Sequence, residues 1–366
     1  MTAQRIRRKR RRIRREIKYG LVALLSIILI ILVFTVVIPL IDQMRLSSMG
    51  YSRVSAKNIV SQKLTKTALS RDYSSAFDVN MNNNIIVGDN LELYYVTTEI
   101  NDDAILLYDR LQELGYKSED VLKAFASLHF KEITPLLVFN NVDDIDIYIA
   151  DVINNRDSET FTLNNIYTIH YEDIKQIADP TALDTLVNKY NQMASTYLPE
   201  VVDMSLQYAS SGQSLREDAY ESFITMVKAM KTDGLSGIYV FSGYRSYETQ
   251  SNIYERYVTS KGQEWADCYS ARPGHSEHQL GLAADVAAVS GSSNGFDATE
   301  EYAWLAENSY KYGWILRYPE DKEIITGYGY EPWHYRYLGE DLATKVAESG
   351  LTYDEYCVLY QIVSAE

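Results

Sequence analysis

An α+β architecture built on an antiparallel sheet is what the second half of this 366-residue chain predicts. Three observations lead there. Short runs of strand length recur at Ile238-Tyr-Val-Phe241, Leu282 to Val289, Trp314-Ile-Leu-Arg-Tyr318 and Trp333-His-Tyr-Arg-Tyr337, most of them rich in β-branched or aromatic residues. Segments of helical periodicity lie among them. The two kinds do not alternate regularly, which argues against repeated βαβ units and for helices combined with an antiparallel sheet.

Length and composition suit a folded protein of two units, since a domain spans roughly 100–200 residues. Hydrophobic content of 46% and charged content of 23% are ordinary for a globular chain and argue against wholesale disorder. The charge is divided unevenly. Residues 1–18 hold ten Lys or Arg and one Glu, a local sum of +9, and the whole chain is at −15, so −15 − 9 leaves −24 for the rest. An acidic body of that kind argues against a nucleic-acid or anionic-surface partner. Among the 31 tyrosines, thirteen fall between Tyr244 and Tyr337. They suit either a polar binding cleft or half-buried strand positions.

In chain order, the basic head (1–18) abuts an uncharged run, 19–41, broken only by Ser26, Thr35 and Pro39 among otherwise mostly apolar residues. About twenty apolar residues cross a bilayer core as a helix, and basic residues mark the cytoplasmic side. One transmembrane anchor is expected, with the N-terminus in the cytoplasm and everything after Asp42 outside. The apolar run is long for a signal peptide and no small-x-small site follows Ile41, so the anchor is expected to stay uncleaved.

Residues 42–74 read as a polar spacer. Residues 75–180 read as a small mixed accessory region of unassigned role. It opens with an expected hairpin over 75–98, turning at Met81-Asn-Asn-Asn84. Helices follow from Ala104 to Gly115 and from Ser118 to about Leu128, the latter with Val121, Leu122, Phe125 and Leu128 on one stripe. His129 and His170 have no metal-ligand company here and are expected to be structural or surface residues.

A second unit begins near Asp179-Pro180. Ser214-Leu-Arg-Glu217 has the form of a capping box, before a helix with Ala219, Phe223, Val227 and Met230 on one face. After the strand Ile238-Tyr-Val-Phe241, Ser246 ends the turn Ser242-Gly-Tyr-Arg-Ser246 and can cap the next helix. Further helices are expected from Thr299 to Tyr312, closed by Gly313, and from Gly339 to Ser349. Residues 350–366 read as a tail. Cys268 and Cys357 lie in the part expected outside the cell, where a disulfide or two buried thiols is compatible, the disulfide slightly favoured.

The chemistry concentrates in Ser276-Glu-His-Gln-Leu-Gly-Leu-Ala-Ala-Asp285 and Glu331-Pro-Trp-His334. A catalytic zinc site takes three protein ligands from His, Asp, Glu or Cys and leaves a position for water. His278, Asp285 and His334 supply such a set, and Asp285 sits on an apolar strand where an unpaired carboxylate is costly. Glu331 is then spare to act on water. His-x6-Asp alone is common by chance, and Trp-His in a strand usually marks packing. The conjunction of these fragments with an upstream arginine turn is what points to a site.

Ser242-Gly-Tyr-Arg-Ser-Tyr-Glu-Thr-Gln250, Ser276 to Asp285 and Glu331-Pro-Trp-His334, in that order, resemble the zinc D-alanyl-D-alanine carboxypeptidases of the VanY type. The resemblance covers 181–349. It implies a Hedgehog/DD-peptidase-like fold and removal of terminal D-alanine from peptidoglycan stem peptides at the bacterial cell membrane. By motif it implies one zinc ion held by His278, Asp285 and His334, Glu331 as base, Arg245 as partner of the oxyanion, and Gln250 and Ser276 as substrate-holding residues. An L,D-carboxypeptidase or endopeptidase on the same fold, or a wall-binding module without catalysis, are the competing readings. The intact Glu331 speaks against the last.

Overall fold

The computed structural model describes residues 3–139, 144–156, 169–292 and 295–361, in two compact units, Met1–Ile105 and Leu106–Glu366. In the first, helix runs almost unbroken from Ala3 to Ser48 through a π-helical turn at Val33–Val37. Its stretch Arg8–Ser48 has an apolar window of mean hydropathy 3.4 with none of it buried, as suits a helix meant for lipid. This helix is a candidate membrane anchor.

Beyond it the sequence expectations fail in two places. Residues 42–74, expected as a spacer, are largely helical: the long helix continues to Ser48, and Arg53–Ser61 and Thr65–Leu69 follow. Residues 75–98, expected as a hairpin, form helices Ser75–Asn82 and Leu91–Val96. All share one core in which Leu46, Tyr51, Ala56, Ile59, Ala68, Phe77, Met81 and Tyr94 are buried. Local reasons are visible. Ser74 caps Ser75–Asn82 by accepting from the Phe77 N–H at 3.0 Å, and Phe77 and Met81 then fall four apart on one face. The Asn-rich piece ends that helix, with Asn84 in the left-handed region (φ 59°) that asparagine tolerates.

The second unit carries the predicted antiparallel sheet. Its strands are β1 (Ile238–Ser242), β2 (Ala283–Ala288), β3 (Trp314–Leu316) and β4 (His334–Tyr337), in spatial order β1-β2-β4-β3 and antiparallel throughout. Helix α1 (Glu217–Thr232) lays Ala219, Phe223, Met226, Val227 and Met230 into the core. There they meet Val240, Ala284, Val286, Trp314 and Tyr335 from the strands. Side chains alternate along a strand, so Asp285 and His334, the sequence neighbours of Ala284, Val286 and Tyr335, project from the opposite face.

Ser214 does not cap α1. It pairs with Leu215 as a two-residue strand against Val202–Asp203, its carbonyl accepts from Tyr244 N–H at 2.8 Å, and Arg216 takes the cap position. Ser246 does cap α2 (Tyr247–Lys261), accepting from Thr249 N–H. The expected tail contains α3 (Tyr353–Leu359), buried along most of its length and opened by a capping box between Thr352 and Glu355. The expected disulfide is absent. Cys268 is exposed and Cys357 buried, both free among the described residues.

Candidate metal and catalytic site

The register of the sheet assembles the site. Asp285 on β2 stands opposite His334 on β4 and, across a bulge on the other side, opposite Ser242 on β1. Cross-strand neighbours lie about 5 Å apart on the same face, which brings an imidazole and a carboxylate together from positions 49 residues apart in sequence. His278 arrives by a different device, a 3₁₀ turn Glu277–Leu280 closed by Gly281 in the left-handed region (φ 70°).

A side chain at Gly281 would set a Cβ 2.9 Å from Val201 Cγ1. Gly281→Ala is therefore expected to cost about 1–2 kcal/mol from backbone strain alone, and to displace His278. A urea titration measures the loss, and a weakened zinc affinity reports the displacement.

Hydrogen bonds fix which nitrogen each imidazole presents. The Gly243 carbonyl can only accept, so His278 Nδ1 donates to it at 2.7 Å, and Nε2 faces Asp285 Oδ1 at 3.2 Å. The His334 ring is turned the other way. Its Nε2 lies 3.2 Å from Glu277 Oε2 and its Nδ1 3.1 Å from Asp285 Oδ1. One ring nitrogen of each histidine thus converges on a single carboxylate oxygen, and the ligand atoms of the three residues lie within 4.8 Å of one another. Three acceptors so arranged suit a cation at their centre, and the nitrogen-rich, carboxylate-completed set suits zinc chemically.

The remaining predicted residues surround this group. Glu331 Oε2 is 3.6 Å from His334 Nδ1, with its side chain 16% exposed. Burial pushes its carboxyl up to about 7; Asp285 adds to the rise while His334 and Arg245 oppose it. Arg245 pairs with Asp285 Oδ2 and donates to Ser242 Oγ at 2.8 Å. Gln250 is buried, its amide nitrogen donating to the Ala271 carbonyl at 2.8 Å and its oxygen accepting from Arg245 at 3.3 Å. Ser276 is also buried. All seven line one open cleft of about 520 Å³, whose walls include Tyr257, Tyr269, Tyr318, Tyr328 and Trp333. Tyr337 on β4 is a partly buried strand residue packed against the core, as the second sequence reading expects, while Tyr335 beside it is fully buried.

Glu277 lies inside the quoted motif without having been singled out. Its Oε1 accepts from Arg317 Nε at 2.8 Å and Arg336 Nη1 at 3.0 Å. Burial opposes its charge, but the two guanidiniums outweigh burial and hold the carboxyl well below the usual range. The available signal was an arginine at an otherwise apolar or aromatic position in each of β4 and the run Trp314 to Tyr318, where a buried charge demands a partner. Asp354, which grips Arg317, carried no local signal.

The family described as VanY, D-alanyl-D-alanine carboxypeptidase, matches residues 212–340, a span that holds all seven predicted positions. A putative carboxypeptidase, YodJ, of Bacillus subtilis (strain 168) is 37% identical over 220 residues, covering 56% of this chain and 78% of that protein. A D-alanyl-D-alanine carboxypeptidase of Enterococcus faecalis (strain ATCC 700802 / V583) is 39% identical over 180 residues, 47% of this chain and 64% of that one. Among solved structures, the LdcB LD-carboxypeptidase is 34% identical, covering 54% of this chain and 98% of that chain, with a TM-score of 0.48. A variant of the vancomycin resistance D,D-pentapeptidase VanY in complex with Zn(II) is 36% identical, covering 49% and 99%, with a TM-score of 0.42.

Proposed function

This chain belongs to the VanY family of D-alanyl-D-alanine carboxypeptidases, and on that premise we propose that it is a membrane-anchored zinc peptidase, with residues 181–349 as its catalytic domain. It removes the terminal D-alanine of peptidoglycan stem peptides. The observation that carries this is the convergence of His278 Nε2, Asp285 Oδ1 and His334 Nδ1 beside a half-buried carboxylate, Glu331, that is not needed as a ligand.

His278, Asp285 and His334 would hold the zinc, which supplies a Lewis acid for the scissile carbonyl and for the attacking water. Glu331 accepts the proton of that water. Standing beside the metal position at 3.6 Å from His334, the same carboxyl can return that proton to the departing D-alanine amine. Arg245, paired with Asp285, carries positive charge beside the metal position and offsets the charge developing on the carbonyl oxygen. Gln250 braces the Arg245 guanidinium and, with Ser276, faces the cleft where the substrate's terminal carboxylate is held. The basic head places the N-terminus in the cytoplasm and the cleft outside, where the wall peptides are.

The test is release of D-alanine by the full-length chain in detergent, from defined penta-, tetra- and cross-linked peptides, with and without a chelator. Release from the pentapeptide alone, abolished by the chelator and restored by zinc, is expected. Release from the tetrapeptide instead would reassign it as an L,D-carboxypeptidase, and cleavage within the cross-link as an endopeptidase. No release from any peptide by the zinc-loaded chain would sink the enzymatic reading.

A further inference from the structure

Resting on the metal site proposed above, we propose that Glu277 is a positioning residue for that site. Its carboxylate holds His334 as the Nε2–H tautomer with Nδ1 turned to the metal position, and the C-terminal helix α3 holds Glu277 in place through Asp354 and Arg317.

The two histidines are oriented by unlike groups. His278 donates to a backbone carbonyl, Gly243. His334 donates to a carboxylate oxygen, Glu277 Oε2, at 3.2 Å. A carboxylate on the far nitrogen sets the tautomer and makes the near nitrogen a stronger donor to a metal. That arrangement works only if Glu277 cannot swing away, and its other oxygen is fastened by Arg317 and Arg336. Arg336 is itself tied by Nη2 to the carbonyls of Leu183 and Thr185 at 2.8 and 2.9 Å.

Arg317 is gripped from the opposite side. Its Nη1 and Nη2 reach Asp354 Oδ2 and Oδ1 at 2.6 and 3.2 Å, and Asn188 Nδ2 donates to the same carboxylate at 2.8 Å. Glu277, Arg317 and Arg336 are wholly buried and the Asp354 side chain is 2% exposed. Two carboxylates and two guanidiniums sum to zero charge, so the cluster tolerates burial only while it is complete.

Asp354 lies outside residues 212–340, and α3 is itself buttressed from the region before the carboxypeptidase domain. Thr134 Oγ1 donates to Glu355 Oε1 at 2.7 Å, and Arg110 Nε to the Leu359 carbonyl at 3.1 Å. This gives that region and the C-terminal segment a shared task, bracing the helix from which the metal site is steadied.

The experiment uses the full-length chain in detergent, with zinc titrated against a competing chelator for wild type, Glu277→Gln and Asp354→Asn. Circular dichroism of each metal-free form monitors folding. Glu277→Gln is expected to weaken zinc binding by roughly 10–100-fold, the usual cost of losing a ligand's hydrogen-bond partner, and Asp354→Asn to weaken it less, in the same direction. A purely structural role would lower the melting temperature of the metal-free form without changing zinc affinity of the folded protein.

Nitrogen-15 histidine NMR of the zinc-loaded wild type is expected to show His334 protonated at Nε2, a readout that needs no variant to fold. Folded Glu277→Gln with wild-type zinc affinity, or His334 protonated at Nδ1, would overturn the proposal while leaving the metal site standing. Absence of zinc binding by the wild type would overturn both.

Discussion

Glu331→Gln is expected to give a folded, zinc-binding chain whose release of D-alanine falls by roughly 10²–10⁴-fold, the range general acid–base catalysis contributes. The substitution keeps size and removes the only property the mechanism needs, a carboxylate able to take and return a proton. Stability should hold or rise slightly. The Glu331 carboxyl is raised chiefly by burial, with Asp285 and Glu277 adding to the rise, so a neutral amide relieves desolvation and like-charge repulsion. Single-turnover assays on defined pentapeptide, beside metal analysis of the same sample, measure both halves. Activity within a few-fold of wild type would remove Glu331 from the role of base.

Asp285→Asn is expected to have the largest combined effect on metal and stability. Asp285 contacts both imidazoles and the Arg245 guanidinium. Losing its charge takes a ligand from the metal and a partner from the arginine together. Zinc affinity should drop by more than the roughly 10–100-fold associated with outer partners. Removing one member of a buried ion pair costs about 3–5 kcal/mol, and the lower end applies because the Arg245 side chain is 21% exposed and can reach water. Chelator competition and a urea titration of the metal-free chain give the two numbers. Retention of wild-type zinc affinity would show that Asp285 is not a ligand.

Much of the catalytic unit was legible because its chemistry is written locally. Strands β1, β3 and β4 announced themselves as short aromatic and β-branched runs, α1 by its apolar stripe, and the turn after β1 by Ser246, which does cap α2. The site could be assembled in advance because few arrangements explain two histidines, a strand-borne aspartate and a spare glutamate. The failures share a cause. Met81-Asn-Asn-Asn84 suits a hairpin turn and a helix end equally well, and Ser74, Phe77 and the common core decided for helix. Ser214 has a capping residue's chemistry, but its backbone was already engaged by a neighbouring strand and by Tyr244. Cys357 went into the core while Cys268 stayed at the surface.

By itself, then, the sequence determined what is local or periodic: an apolar helix behind a basic head, an α+β catalytic unit, and the residue types that meet in the cleft. Only the tertiary structure decided which nitrogen each histidine offers, that Glu277 and not solvent lies behind His334, and that Asp354 of an apparent tail closes a neutral buried cluster around Arg317. Those outcomes depend on pairings between residues 35 to 57 positions apart. Their energy comes from satisfying charge and hydrogen bonds away from water, and it is set by who arrives at each buried group and not by the spacing that announces it.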